Sequence, residues 1–348
     1  MECLWPLREN IIVRKVLLIG PSCFGYNQSI ASAFDPKQFE VKVIDYAEQF
    51  GAIRLGNKIS YFISKDKRKI SGSLHEHFNK TILKLYNQFH PEIVLIIKGD
   101  VIRMETISRM KGSKNVLWML DGMSYCPKSL EISGLMDAVF LFEKSDETAV
   151  KKINRNSFYL PPAFDPEIFR QLPSVKKDID LLFIGTLYPD RVHLLEKIKK
   201  KFPRLKIKIY CERYRFYKSP VQFLKSIFDN VFINRFVSPR KANLLYNRSR
   251  ICLNMHREES KYGINPRFFE IIGAGGYQLV DHKPFIDDFF PEYYTNTYHS
   301  EEELFGKIEQ FIKGKKDGQN DKVYQEISEK HTFRNRIEYI IEELGITN

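Results

Sequence analysis

Short apolar runs rich in β-branched residues alternate with amphipathic stretches along this chain, and the alternation is gone through twice. Residues 15–20 (KVLLIG), 41–45 (VKVID), 93–99 (IVLIIKG), 115–121 (NVLWMLD) and 138–142 (AVFLF) make the first series. Being apolar on both faces, they predict strands of a parallel sheet covered by helices rather than half-solvated antiparallel strands. Helical segments separate them. Residues 73–89 carry Leu74, Phe78, Ile82, Leu85 and Phe89 at helical spacing, and residues 145–153 (SDETAVKKI) offer Ser145 as an N-cap. Such an order builds an open, doubly wound α/β sheet.

After the proline-bearing, irregular residues 158–178 the pattern begins again. Strands are expected at 179–185, 205–211, 230–234, 250–255 and 276–281, with helices at 190–202, 221–228, 238–247 and 265–274 between them. At 348 residues the chain exceeds one typical core, so two domains are expected. We place them at 1–164 and 165–320, with helices in 321–348 packing back on the first. Apolar residues at 43% and charged residues at 28% exclude a disordered or fibrous chain.

The net charge of +12 is concentrated. Residues 151–250 hold 23 Lys and Arg against 8 Asp and Glu, which leaves 32 against 35 elsewhere. Such a field attracts anions without choosing among nucleotide, lipid or nucleic acid. A solvated helix face and edge strand would give the same composition in residues 196–208. The cysteines Cys3, Cys23, Cys126, Cys211 and Cys252 form no C-x-x-C pair, which argues for a reduced, cytoplasmic chain without a zinc knuckle. The N-terminal apolar run is too short for a signal or membrane helix. No metal site is expected: His75 and His77 lie on nearly opposite sides of their helix, and Asp178 and Asp180 lead directly into a strand.

The chemistry concentrates in residues 265–281 (NPRFFEIIGAGGYQLVD). At about 100° per residue, Arg267, Glu270 and Ala274 share one helix face while Phe268, Phe269 and Ile272 take the other. Arginine suits phosphate, and a carboxylate suits paired sugar hydroxyls. The small residues Gly273, Ala274, Gly275 and Gly276 would let backbone approach a ligand closely. An ordinary i,i+3 surface ion pair between Arg267 and Glu270 is the competing explanation.

Together with residues 183–198 (FIGTLYPDRVHLLEKI) and 238–257 (SPRKANLLYNRSRICLNMHR), this segment resembles the donor-binding half of the CgeB-like (spore maturation protein) family of GT-B glycosyltransferases. The likeness spans roughly 180–288; the N-terminal half shares only architecture and the style of residues 118–125 (WMLDGMSY). It implies a GT-B fold, two doubly wound Rossmann-like domains facing a central cleft. It further implies that Glu270 meets the ribose of a nucleotide-sugar and Arg267 the pyrophosphate. Gly185, Tyr188 and Arg191 would sit near phosphate, and Asn254, His256 and Arg257 would point into the same cleft. Many retaining GT-B enzymes carry a second Glu eight residues before the ribose-binding one. That position here is Tyr262, which leaves anomeric retention open.

The first domain is expected to hold the acceptor. Asp121, at the end of a buried strand, is a candidate base for the acceptor hydroxyl or else a turn cap. Gly20 and Gly25 lie in a strand-to-helix loop that brings amides toward a ligand or is simply a tight turn. The expected function is metal-independent transfer of a sugar from a UDP- or GDP-linked donor to a polysaccharide, protein or lipid-linked acceptor, with no cofactor. Peripheral contact with an anionic inner membrane face is compatible with the basic middle region; nucleic acid is not the expected partner. Two alternatives stay open: a non-catalytic nucleic-acid or anionic-surface binder using residues 151–250, which include the aromatic and basic 211–220 (CERYRFYKSP), and a degenerate GT-B that binds donor without turnover.

Overall fold

The computed structural model describes residues 13–21, 24–46, 67–211, 230–314 and 321–346. The expected helix 221–228, most of the aromatic and basic 211–220, Cys3 and Cys23 lie outside the described residues. The chain divides into two compact units. The first comprises residues 1–142, 146–160 and 337–348, and the second 143–145 and 161–336.

In the first unit the order is β1 (Arg14–Gly20), α1 (Tyr26–Ser32), β2 (Phe39–Asp45), α2 (Lys67–Phe89), β3 (Ile93–Ile97), α3 (Met104–Ser108), β4 (Lys114–Trp118), α4 (Pro127–Ser133), β5 (Ala138–Leu141), α5 (Glu147–Lys151) and β6 (Ser157–Tyr159). All neighbours are parallel, in the order β2-β1-β3-β4-β5-β6. Both faces of β3 are buried, as its unbroken apolar run requires. Phe78, Ile82 and Phe89 of α2 pack with Leu17, Val94 and Leu117 in one core. Ser145 does not cap α5: it lies within a 3-10 turn, and the helix starts after Asp146, whose Oδ2 accepts the Met123 N–H at 2.7 Å instead. Local propensity lost there to a tertiary hydrogen bond.

The second unit runs β7 (Ile179–Ile184), α6 (Pro189–Lys201), β8 (Ile207–Cys211), β9 (Phe232–Asn234), α7 (Pro239–Arg248), β10 (Ser249–Asn254), α8 (Arg267–Gly273), β11 (Gln278–Asp281), α9 (Pro284–Phe289), β12 (Thr297–Tyr298), α10 (Glu301–Ile312), α11 (Asp321–Lys330) and α12 (Phe333–Glu343). Its strands are again all parallel, in the order β12-β11-β10-β7-β8-β9. Chain direction across the sheet therefore reverses between β7 and β10. Prolines open α6, α7 and α9, where a missing N–H costs nothing. From residue 337 onward α12 groups with the first unit, where Tyr339 packs edge-on against Phe140 and Phe158. No described helix is long and apolar enough to cross a membrane.

Candidate functional site

In an open parallel sheet, helices on either side of the reversal point leave in opposite directions and open a crevice at the strands' carboxyl ends. In the second unit that point is flanked by the loop after β7, with Gly185 and Tyr188, and the loop after β10, with His256 and Arg257. Arg191, buried in the first turn of α6, ties the two together. Its Nη1 donates to the Thr186 carbonyl at 3.0 Å and its Nη2 to the Met255 carbonyl at 2.9 Å. Burial lowers its pKa, and the nearby Arg267 adds to that, with Asp190, Tyr188 and Asp281 opposing. The Tyr188 ring lies 5.0 Å from the Arg191 guanidinium and 5.8 Å from that of Arg257. Arg191 is thus part of the scaffold, a role its place in a phosphate-side loop did not announce.

At the end of β10, Asn254 is buried in an amide network. Its Nδ2 donates to Gln278 Oε1 at 2.8 Å, and its Oδ1 accepts from Asn265 Nδ2 at 2.8 Å. The network joins β10, β11 and the residues leading into α8. Next along, the His256 N–H donates to Asp281 Oδ1 at 2.8 Å, and its ring Nδ1 lies 2.7 Å from the same oxygen. Burial would raise the Asp281 pKa, but His256 and Lys283 outweigh it and hold the carboxyl below its usual range. The His256 side chain is 1% exposed, and its Nε2 has no hydrogen-bond partner among the described residues.

On α8, Phe268 and Phe269 are fully buried against Phe290 and Tyr293, as the helical pattern requires. Glu270 is also buried, at 5% exposure. It lies close enough to Tyr246 to act with burial in raising that phenol's pKa well above its ordinary value, while Arg267 works the other way. Arg267 and Glu270 thus share surroundings, as their helical spacing predicts.

The glycines that follow have a different explanation from ligand approach. Gly275 N–H donates to the Ile272 carbonyl at 2.8 Å and Gly276 N–H to that of Ile271 at 2.9 Å, the paired bonds of a Schellman turn. Gly275 sits at φ 69°, in the left-handed region this turn needs. Protein fills the space beside them. A Cβ on Gly275 would lie 2.6 Å from Gln171 Cγ, one on Gly276 2.9 Å from Ile271 Cγ2, and one on Gly273 would strike the Phe164 ring. A side chain on Gly185 would meet Phe183 at 2.9 Å.

In the first unit, a Cβ on Gly20 would collide with Asn27, whose Nδ2 donates to the Gly20 carbonyl at 3.1 Å and to Asp45 Oδ2 at 2.9 Å. Gly25 starts α1 from a left-handed conformation. Both glycines thus have local structural reasons. Asp121 Oδ2 lies 3.1 Å from Lys98 Nζ. Burial would lower the Lys98 pKa, but Asp121, Cys126 and Asp100 outweigh it and raise it. Lys98 itself adopts φ 71°, a costly conformation for a non-glycine residue.

Sequence reading missed Lys98, Asp281, Asn265 and Glu143. Glu143, which groups with the second unit, is buried and accepts the Tyr262 N–H at 2.7 Å and the Gly263 N–H at 3.2 Å. Tyr262 in turn donates to Asp288 Oδ2 at 2.6 Å under the Lys144 ammonium, 4.7 Å from its ring. An acid closing an apolar run, as in residues 138–143 (AVFLFE), was the available signal. Asp178 and Asp180 are engaged by Arg248 at 2.6 Å and Arg250 at 3.3 Å.

Residues 191–342 match the family model described as glycosyl transferase-like. No curated protein matches the chain. Solved structures similar to it include sucrose-phosphate synthase from Thermosynechococcus elongatus, with TM-score 0.62 and 9% identity over 95% of this chain and 99% of that one. The catalytic domain of starch synthase IV from Arabidopsis thaliana gives TM-score 0.59 and 9% identity over 96% and 99%. A putative UDP-N-acetylglucosamine 2-epimerase from Listeria monocytogenes gives 0.58 and 12% over 97% and 98%. At such identities the likeness is one of fold: the two parallel sheets with their flanking helices are a two-domain, Rossmann-like GT-B fold.

Proposed function

We propose that this protein is a nucleotide-sugar-dependent glycosyltransferase of the CgeB-like kind, with its donor site on the second unit. The observation that carries the reading is the grouping around Arg267 of α8, which lies close enough to act on Arg191, the brace between the loops after β7 and β10, and which shares the surroundings of Tyr246 with Glu270. Arg267 and Arg257 supply positive charge for a diphosphate, and Glu270 supplies a carboxylate for a ribose. As the acceptor oxygen bonds the anomeric carbon, the bond from that carbon to the diphosphate oxygen breaks. The acceptor's proton passes to a base, for which Asp121 is the candidate, and the diphosphate leaves as an anion neutralised by guanidinium groups without a metal. A UDP- or GDP-linked donor and a polysaccharide, protein or lipid-linked acceptor complete the proposal.

The same fold serves an epimerase, so fold alone does not separate transfer from other nucleotide-sugar chemistry. The family match favours transfer. Use of the basic middle region as a polyanion track has less support, because several of its cations are paired: Lys197 with Glu301, Lys201 with Glu309, Arg248 with Asp178 and Arg250 with Asp180.

Calorimetry against UDP, GDP, CDP and dTDP and their sugars, first without and then with magnesium, tests the proposal. Selective binding of one base without metal, weakened at least about tenfold in Glu270→Ala while the fold persists, is expected. Unchanged affinity with a sharply lower Tm would make Glu270 structural. No nucleotide binding beside salt-sensitive binding to RNA, DNA or anionic vesicles would overturn the proposal.

A further inference from the structure

The backbone turns sharply where β3 ends, on a residue ill suited to the turn. Lys98 adopts φ 71°, and the Gly99 N–H reaches back to the Ile97 carbonyl at 2.9 Å. This is the rare γ-turn with a positive φ at its centre, strained for any residue with a Cβ and without steric penalty for glycine. Neighbours hold it in place: the Lys98 N–H donates to the Trp118 carbonyl at 3.0 Å, and its carbonyl accepts from Ser129 Oγ of α4. A non-glycine residue kept in such a conformation points to a use for its side chain. The turn brings that side chain to Asp121 and Tyr125, with the ammonium 3.1 Å from Asp121 Oδ2 and 5.1 Å from the centre of the Tyr125 ring. The Lys98 and Asp121 side chains are 19% and 29% exposed and Tyr125 is 51% exposed, so the cluster is open to solvent at the carboxyl edge of the sheet.

Local charge and shape select the ligand. Burial pushes the Cys126 thiol up to about 11, so it is uncharged at neutral pH, and the carboxylates acting on Lys98 are those of Asp121 and Asp100. One ammonium beside two carboxylates disfavours a phosphate or carboxylate ligand. A neutral hydroxyl fits, because it donates its proton to a carboxylate while its oxygen accepts from an ammonium. An exposed aromatic ring beside such a pair suits a sugar, whose C–H face packs on the ring while its hydroxyls form hydrogen bonds. We propose that Lys98, Asp121 and Tyr125 form an acceptor subsite for a neutral carbohydrate: the Lys98 ammonium donates to the hydroxyl oxygen to be glycosylated, Asp121 accepts that hydroxyl's proton, and the Tyr125 ring carries the sugar. The inference rests on the glycosyl-transfer reading and names its acceptor class. As the acceptor oxygen bonds the anomeric carbon and the bond from that carbon to the diphosphate oxygen breaks, the hydroxyl proton passes to Asp121. Lys98 stays protonated and stabilises the charge that develops on the acceptor oxygen. Glycine would relax the turn but remove that ammonium.

The test is saturation-transfer NMR of the full chain with maltotriose, cellotriose, triacetylchitotriose and glucose 6-phosphate, beside thermal unfolding and calorimetry with UDP- and GDP-sugars. At least one neutral trisaccharide should bind, and more tightly than the phosphorylated sugar. Lys98→Gly should weaken that binding at least about tenfold. Its Tm should not fall, because the strain is released and a partly exposed ion pair contributes little. Lys98→Met, which keeps the strained backbone and loses only the ammonium, should weaken trisaccharide binding equally, and neither variant should change nucleotide-sugar affinity. Tyr125→Ala should weaken trisaccharide binding as well, and Tyr125→Phe should restore it. Trisaccharide binding retained in Lys98→Met would make Lys98 structural and overturn the proposal. Preference for glucose 6-phosphate, or no binding of any neutral trisaccharide, would also overturn it; with nucleotide-sugar binding intact, each of these results leaves the glycosyl-transfer reading standing. Failure to bind any nucleotide-sugar in the wider panel would overturn both.

Discussion

Arg191 separates two roles that its position allows, a contact to phosphate and a brace between loops. In Arg191→Met the donors to the Thr186 and Met255 carbonyls, at 3.0 and 2.9 Å, disappear while an apolar side chain of similar length remains. Each hydrogen bond from a charged donor contributes about 1.5–3 kcal/mol, and the Met stem recovers part of that loss by packing. A net cost of about 3 kcal/mol follows. For a unit of this size that corresponds to a Tm lower by about 6–12 °C. Arg191→Lys, which keeps the charge but has one compact head, should satisfy one carbonyl and lie between. Thermal unfolding followed by circular dichroism, with donor affinity measured below the transition, reads both consequences. A brace predicts that stability and affinity fall together, because the loops carrying Tyr188, His256 and Arg257 lose their register. If Arg191→Met melted with the wild type while affinity collapsed, the guanidinium would belong to the ligand and the bracing argument would be wrong.

Gly275→Ala places a Cβ at φ 69° against Gln171 and should cost at least about 1–2 kcal/mol in chemical denaturation; donor affinity per folded molecule should not change. Asp121→Asn should lower kcat by roughly 10²–10⁴-fold with donor affinity intact; an unchanged kcat would make the carboxylate a partner of Lys98 and nothing more. His331 accepts from Arg336 Nη2 at 2.7 Å, and burial together with Arg336 pushes its pKa down to about 3. The unfolded chain therefore takes up a proton near pH 6.5 that the folded chain refuses, so stability is full above that pH and is lost as pH falls from about 6.5 toward 3. The slope should approach about 1.4 kcal/mol per pH unit in urea melts and be absent in His331→Asn.

Much of the architecture was legible because it depends on local pattern. A strand buried on both faces must be apolar throughout, as in β3, and ten of the twelve strands were legible from apolar runs of this kind or from their apolar and β-branched content. The two that were not, β6 (SFY) and β12 (TY), are edge strands of three and two residues without the run of apolar, β-branched neighbours that marked the equally short β9 in residues 230–234 (NVFIN). Helical spacing likewise placed Phe268 and Phe269 in the core and brought Arg267 and Glu270 into shared surroundings. Small residues were harder to read. A Schellman turn, a ligand contact and a tight packing contact all select glycine, and only the positions of Phe164, Gln171 and Ile271 tell them apart.

By itself, the sequence determined the two α/β repeats, the amphipathic faces and the set of polar residues available at the ends of β7, β10 and β11. Which of these residues meet was decided by tertiary structure. Asn254 with Asn265, Arg191 with Met255 and His256 with Asp281 are 11, 64 and 25 residues apart. Pairings of that kind have no local signature, because they arise from strand order: placing β10 between β7 and β11 puts the three loops side by side. Periodicity reports which face of an element is buried, and the sheet's topology selects the neighbour that buries it.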